Sequence, residues 1–551
     1  FYGTGIPACI VILDKENAQA RTGVFMIDAS KGFMKDGNKN RLREQDIHKI
    51  VDTFTRQIDS PRYARMVPFA EIADAKNDFN LNLPRYIDSS EPEDLQDIDA
   101  HLNGGIPERD IDAFAADWQQ MPGLRATLFE SAGRPGYARL KLPMGEIKAA
   151  ILGHGEFIAF TGKVNNLFGK WREAITPRLT GFAQNDHPKA LIATVSETLL
   201  AAFQAAPLLD PYDVYQHLMD YWAETMQDDA YLIAADGWVA KPARIIEVDK
   251  KGKSKDKGWA CDLIPKPLMV ARYFVEEQAA LDVLQAELEA ITASLDELKE
   301  EHGGEEGVLK DVSTKGDAQE AYTQALLALW KENDKVACMG YHTLMEQANE
   351  HAAKLRELTE FSYFSVLKNP KGKLTLKVVK DRLAATGDLA ERAVLNTYTE
   401  AVAALKTKSK QAAEQFAEIE TLYKAQLESE PLPVSFADFQ VTVRCLELLE
   451  QQATLKGRVK EADTALDLLA YEKYAQLSVD EIKTLVVDDK WLARMAADLQ
   501  GELDRVGQTL TARIRELAER YTTPLPQLVD EVALLSAKVE EHLKRMGAAW
   551  K

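Results

Sequence analysis

Apolar and polar positions follow two rhythms along this chain. Near the start the apolar residues come in short unbroken runs, Ala8-Cys9-Ile10-Val11-Ile12-Leu13 and Thr22-Gly23-Val24-Phe25-Met26-Ile27. Such runs, bounded by polar residues, predict buried strands. Asp14-Lys15-Glu16-Asn17 lies between them and reads as a hairpin connection. Two strands alone do not make a stable sheet in water, so this pair is expected to be the edge of a sheet whose body lies upstream. From Glu44 to Ile58 the rhythm becomes helical, with Ile47, Ile50, Val51 and Phe54 on one face. Residues 61–100 collect Pro, Asn and Asp and read as a connecting segment.

Helical spacing dominates beyond residue 100. Leu191, Val195, Leu199 and Leu200 share a face over 188–205, and Tyr215, Leu218, Met219 and Trp222 share one over 211–226. Residues 230–248 read as more extended, with a small sheet element. Phe274, Leu281, Leu284, Leu288, Ile291, Leu295 and Leu298 then recur at intervals of 7, 3, 4, 3, 4 and 3. That is the seam of a coiled coil, and His302-Gly303-Gly304 stops it. Residues 308–430 are helical and polar, with breaks at Asn369-Pro370-Lys371-Gly372 and Pro431-Leu432-Pro433. Ser478-Val479-Asp480-Glu481 is a capping box ahead of a new helix. A long amphipathic helix follows over 491–520, through Leu492, Met495, Leu499, Leu503, Val506, Leu510, Ile514 and Leu517. After Thr523-Pro524-Leu525-Pro526 a last helix runs through Leu528, Val532, Leu535, Val539, Leu543 and Met546. The short turn predicts that the final two helices pack antiparallel. No repeat of fixed period appears.

Composition narrows the picture. The 551 residues are 46% hydrophobic and 28% charged, enough to bury several cores and to form three or four domains. No stretch approaches the roughly 20 apolar residues that a membrane span needs, and no secretory leader opens the chain. Cys9, Cys261, Cys338 and Cys445 are scattered and suggest neither a zinc site nor a disulfide framework, so a cytoplasmic home is expected. The net charge of −20 makes a poor stand-alone DNA binder, because phosphate neutralisation supplies most of such affinity.

Some residues carry a resemblance. Phe1-Tyr2-Gly3-Thr4-Gly5-Ile6-Pro7 and the apolar run after it resemble a segment of the modification (M) subunits of type I restriction–modification systems, which are DNA adenine-N6 methyltransferases. So do Phe25-Met26-Ile27-Asp28-Ala29-Ser30 with Phe33 and Asn40-Arg41-Leu42, and the stretch from Glu71-Ile72 to Asn80-Leu81-Asn82-Leu83-Pro84-Arg85-Tyr86. Asp210-Pro211-Tyr212-Asp213-Val214-Tyr215 and Gly303-Gly304-Glu305-Glu306-Gly307 resemble the longer members more diffusely. The resemblance implies that the chain is the C-terminal part of such a subunit. Its fold class is then mixed and mainly α: the end of a Rossmann-like α/β sheet, followed by a large helical region with coiled-coil and helical-hairpin elements. The expected divisions are the end of the catalytic domain (1–60), a connecting segment (61–100) and a mostly helical domain (101–270). A coiled coil (271–306), a helical region (307–430) and a C-terminal helical region (431–551) follow.

The resemblance also implies a site. An adenine in a duplex must be flipped out before its amino group is reached, and it then needs an apolar or aromatic wall. Phe1 falls where related enzymes place that wall, with Tyr2 beside it; Gly3, Thr4, Gly5 and Pro7 shape the pocket rim. The family's Asn/Asp-Pro-Pro-Tyr/Phe tetrapeptide and its glycine-rich loop for S-adenosylmethionine do not occur in this sequence. They are expected upstream, which leaves this chain alone inactive, without catalytic or cofactor residues of its own. Asp210-Pro211-Tyr212 reads as an ordinary helix start. His217, on an amphipathic helix, reads as a surface or core-edge residue. Lys250, Lys251, Lys253, Lys255 and Lys257 form a basic loop in an acidic chain, a candidate for phosphate contact against the plainer reading of a solvated loop. Lys371, Lys373, Lys377 and Lys380 form a second such set. The implied partners are the specificity and restriction subunits of the same system, and double-stranded DNA through the complex. The alternative is a helical scaffold or adaptor without chemistry of its own.

Overall fold

The computed structural model describes residues 8–90, 95–248, 252, 254–369, 373–428 and 433–546. The chain divides into two compact units, one made of Phe1–Arg272 with Ala470–Lys551 and the other of Tyr273–Leu469.

The first unit opens with β1 (Gly23–Ile27), a small hairpin of β2 (Met34–Asp36) and β3 (Lys39–Arg41), helix α1 (Glu44–Arg56) and β4 (Ala64–Pro68). β1 pairs antiparallel with β4, Gly23 opposite Pro68 and Ile27 opposite Ala64. A side chain at Gly23 would run into the Val67 carbonyl. Met26, Val67, Ile72, Tyr86 and Ile87 form the core beneath.

Two expectations change here. Residues 8–13 form no strand: Ile10 is 84% exposed and Leu13 91%. The residues after them fold locally instead of turning a tight hairpin. The Asp14 carboxylate accepts from the Glu16 amide at 2.9 Å and from Arg21, and Ala18–Ala20 make a single 3₁₀ turn. The partner of β1 is β4, in a segment read as mere connection, where Ala64 and Val67 are buried.

The next stretch holds α2 (Ile98–Asn103), β5 (Ile106–Pro107), β6 (Phe129–Ser131) and β7 (Tyr137–Leu140), the strands in antiparallel order β5-β7-β6. Helices α3 (Ile147–Leu152), α4 (Gly155–Thr180), α5 (Pro188–Phe203) and α6 (Pro211–Tyr221) follow. α4 buries Phe157, Phe160, Val164, Phe168, Trp171, Ile175 and Leu179, a three-and-four spacing that keeps one face inward. The chain passes through a π-helical stretch (Trp222–Met226) into α7 (Gln227–Asp236). Residues 230–236 are therefore helical, not extended. The sheet element anticipated nearby is a hairpin of β8 (Ala243–Val248) and β9 (Ser254–Ala260). Among the described residues every sheet is small and antiparallel.

The second unit contains α8 (Val275–His302), α9 (Lys315–Asn333), α10 (Lys335–Leu358), α11 (Leu389–Gln426) and all but the last residues of α12 (Ala437–Tyr474). The seam anticipated over 274–301 lies on α8. Leu295, Ile291 and Leu298 pack in a cluster with Leu309, Cys445 and Leu448, and Gln452 donates to Thr292 at 2.9 Å. That part of the seam is covered by its own chain. A second cluster gathers Tyr322, Leu326 and Trp330 of α9 with Tyr423 and Phe439.

Back in the first unit, Ser478 and Glu481 form the anticipated capping box. A π-helical stretch (Thr484–Leu492) then buries Leu485, Val486, Val487, Trp491 and Leu492. It leads into α13 (Ala493–Tyr521), which packs against α3, α6 and the π-helical stretch. α14 (Leu525–Arg545) follows and buries none of its residues. The antiparallel packing expected of these two helices is not what forms. The apolar stripe of α13 is already taken by α3, α6 and the π-helical stretch, so nothing remains for α14 to cover. No described helix is long and apolar enough to cross a membrane.

Candidate functional site

The richest cluster of polar side chains sits where α1 meets α5 and α6. Asp46, three residues into α1, accepts from the Arg43 amide at 2.8 Å and from its guanidinium at 3.0 Å. Burial pushes the Asp46 carboxyl up, but the Arg43 hydrogen bonds outweigh it and hold it below the usual range. α6 begins where the sequence places it. Asp210 accepts from the Tyr212 amide at 2.9 Å, and Pro211 supplies the first helical residue, whose N–H would have been unpaired anyway.

The two helices then interlock through polar groups. The Gln45 amide donates to Gln216 at 2.9 Å and its side chain to Asp213 at 2.8 Å. Lys49 donates to Asp210 at 2.9 Å and lies over the rings of Tyr63 and Tyr212, 5.3 and 5.4 Å from their centres. The Tyr212 hydroxyl donates to Asp52 at 3.0 Å; burial, then the Asp52 carboxylate, push its pKa well up. Burial and nearby carboxylates raise Tyr63 to about 12. His48 meets Glu197 of α5 at 2.7 Å and Asp52 at 3.3 Å, its ring edge-on to Tyr215. These contacts join α1 to α5 and α6.

A second layer reaches α13. His217 contacts Glu502 at 2.9 Å, and Arg505 bonds Glu502 at 2.7 Å and Asp213 at 3.3 Å. The His217 hydrogen bond, with Arg505, draws Glu502 down to about 2, and Glu502 in turn raises His217. Deeper still, Lys490 donates to Asp229 at 2.8 Å and to the Leu263 carbonyl at 2.9 Å, and the Trp491 indole donates to Asp229 at 2.8 Å. Burial raises the Asp229 carboxyl against the pull of Lys490 and Trp491.

The amphipathicity of α1 is inverted. Its buried residues are Gln45, Asp46, Asp52 and Thr53, while Ile47, Val51 and Phe54 are 43%, 55% and 44% exposed. The apolar face read from the sequence exists, but within the described chain only Ile50 on it is half-buried, and Ile47, Val51 and Phe54 stay largely open.

Phe1, Tyr2, Gly3, Thr4, Gly5 and Pro7 lie outside the described residues, as do Lys250, Lys251 and Lys253. Lys255 and Lys257 stand exposed on β9, with Lys257 paired to Glu247 at 3.0 Å. Asp210, Tyr212 and His217 turn out to be joint residues. The missed signal was the polar face Tyr212, Asp213 and Gln216 on an otherwise apolar helix. Among the described residues no group of three or more His, Cys, Asp or Glu is placed to hold a metal.

Comparison with known proteins bears on the segment that α1 belongs to. Residues 1–95 match the N-6 DNA Methylase family. The type I restriction enzyme MjaVII methylase subunit of Methanocaldococcus jannaschii is 37% identical over 103 residues, 18% of this chain and 17% of that protein. The MpnII methylase subunit of Mycoplasma pneumoniae is 31% identical over 108 residues, 20% of this chain and 19% of that protein. The HindI methylase subunit of Haemophilus influenzae is 36% identical over 99 residues, 17% of this chain and 22% of that protein. The chain thus spans about a fifth of the length of these curated relatives. The resemblance to type I modification subunits read from residues 1–90 is borne out over that part. No solved structure matches the chain.

Proposed function

We propose that this chain is part of the modification subunit of a type I restriction–modification system, serving methyl transfer from S-adenosylmethionine to adenine N6 in DNA. The observation that carries the reading is the methylase match over residues 1–95. The largely open Ile47, Val51 and Phe54 of α1 in the same segment support it, since an apolar face of this kind belongs against a further part of a core.

S-adenosylmethionine does not fit the described residues. Its site needs a strand leading through a glycine-rich loop into a helix. Among the described residues Gly153-His154-Gly155 joins two helices, and no Gly-x-Gly turn joins a strand to one. The reading therefore assigns cofactor binding and the Asn/Asp-Pro-Pro-Tyr/Phe tetrapeptide to residues other than these 551, and this chain alone is inactive. Phe1 and Tyr2 stack on the flipped adenine, with Gly3, Thr4, Gly5 and Pro7 at the rim. The β8–β9 hairpin, with six basic against three acidic residues over 243–260, meets backbone phosphate. The C-terminal helices and α8 are docking elements for the specificity subunit, with the restriction subunit joining the same cytoplasmic complex. The interlocked polar contacts of α1 with α5 and α6 hold the methylase segment to that frame.

The test is tritiated methyl transfer onto duplex DNA by this chain assembled with the specificity subunit and the remaining methylase segment. Incorporation at adenine N6 that disappears without this chain supports the reading. Equal incorporation without it leaves a helical scaffold as the better account. Stoichiometric S-adenosylmethionine binding by the isolated chain in equilibrium dialysis would contradict the assignment of the cofactor site.

A further inference from the structure

α14 carries an apolar seam with no cover. Leu525, Leu528, Val532, Leu535, Val539 and Met546 follow at intervals of 3, 4, 3, 4 and 7, and each is between 43% and 81% exposed. This is the alternating spacing with which one helix seats against another. Exposed to water, the row is unfavourable. The occupant is indicated by the residues that flank it.

Glu531 and Lys538 each stand one residue before a seam valine, on the same edge. Consider two copies of α14 set antiparallel about a two-fold midway between Ala533 and Leu534. Val532 then faces Leu535 of the second copy, and Leu528 faces Val539. Glu531 comes beside Lys538 of the second copy, and the symmetry repeats every one of these pairs. Parallel pairing instead puts Glu531 beside Ser536 and Lys538 beside Leu543, with no charge matched. The attachment of the helix agrees. α14 meets the rest of its unit at α2, where Pro524 lies against Gly104 at the N-terminal end of the helix. A parallel pair would force two such bodies to the same end at a helix spacing of about 8–10 Å. The antiparallel pair sets them apart by the length of the helix, about 30 Å.

We infer that α14 is a self-association element, through which two copies of this chain pair with their last helices antiparallel. The methylase reading is not needed for this: the pair is the state of the chain alone, and docking of the specificity subunit on the same helix takes its place. The interface lies at the small end of specific contacts, on the order of 1,000 Å² in total, so the pair is reversible and concentration-dependent.

The test is sedimentation equilibrium on the full chain from low to high micromolar concentration. The expected result is a rise from the monomer mass of 61.5 kDa towards twice that value. Leu535→Lys should hold the chain at the monomer mass throughout, with an unchanged far-ultraviolet circular dichroism spectrum, because Leu535 supports no core. Glu531→Lys and Lys538→Glu should each weaken the pair, by roughly fivefold. The double exchange restores both cross-pairs and should return affinity to within about twofold of the original. A chain that stays monomeric at every concentration overturns the proposal, even if it captures a different protein through α14. So does a dimer indifferent to Leu535→Lys. A dimer that the double exchange fails to restore overturns the antiparallel arrangement.

Discussion

α13 and α14 follow one another across a short turn and carry nearly the same alternation of apolar and polar residues, yet they end in opposite circumstances. α13 puts Leu499, Leu503, Leu510, Ile514 and Leu517 into the core. α14 leaves Leu528, Val532, Leu535 and Val539 in water. Propensity does not separate them; the neighbours do. α13 has α3, α6 and the π-helical stretch to pack on, and Gly507 lets it come close. A Cβ there would stand only 2.7 Å from the Leu152 side chain and 3.1 Å from Phe157. An amphipathic pattern thus states that a face is to be covered without stating by what. α1 extends the lesson, for its polar face is the one docked within the chain.

The contrast can be broken most forcefully just ahead of α13. Lys490→Ala strands the buried Asp229 carboxylate, which is 2% exposed, and removal of one partner of a buried pair costs about 3–5 kcal/mol. Urea unfolding should show that loss, while Lys490→Met with Asp229→Leu should recover much of it. A smaller drop, about 3 kcal/mol, is expected for Leu503→Ala, a fully buried leucine whose removal leaves a cavity. Hydrogen exchange should quicken along α13 and leave α14 as it was.

Glu502 and His217 give the contrast a pH dependence. The Glu502 carboxyl sits near 2 when folded, below its unfolded value, so its contribution is full above about 4.5 and fades as pH falls towards 2. His217 is raised when folded, so its contribution is full below about 6.5 and is lost as pH rises through the raised value. The pair therefore supports α13 most between those limits. Glu502→Gln should cost on the order of 2 kcal/mol near pH 5.5 and almost nothing near pH 2. A pH-independent loss would assign the effect to packing instead. The smallest effect belongs to α14: Leu535→Ala, 57% exposed, should change monomer stability by less than about 0.5 kcal/mol. A larger loss in the monomer would mean that α14 is covered by its own chain.

Much of the layout was legible beforehand. The π-helical stretches apart, the helices over 188–203, 211–221, 275–302 and 493–521 fall where periodicity and capping put them, because both signals are local. The start of α6 was read correctly from Asp210 and Pro211 for the same reason. The joint itself was not legible. Asp52 and Tyr212, or Gln45 and Asp213, are more than 150 residues apart, and single polar residues at such distance carry no periodic mark. Strand pairing failed likewise. Two apolar runs close in sequence suggested one hairpin, while the true partner of β1 lay beyond α1 at residues 64–68.

By itself the sequence determined which faces of this protein are apolar, where helices begin and stop, and that its first 90 residues resemble a DNA methylase. Only the tertiary structure decided which of those faces are satisfied: α13 buried, part of α8 covered, α1 docked by its polar side, α14 left open. Periodicity is written within a few turns of one helix. Burial depends on which distant surfaces arrive to exclude water, and that is a property of the assembled fold.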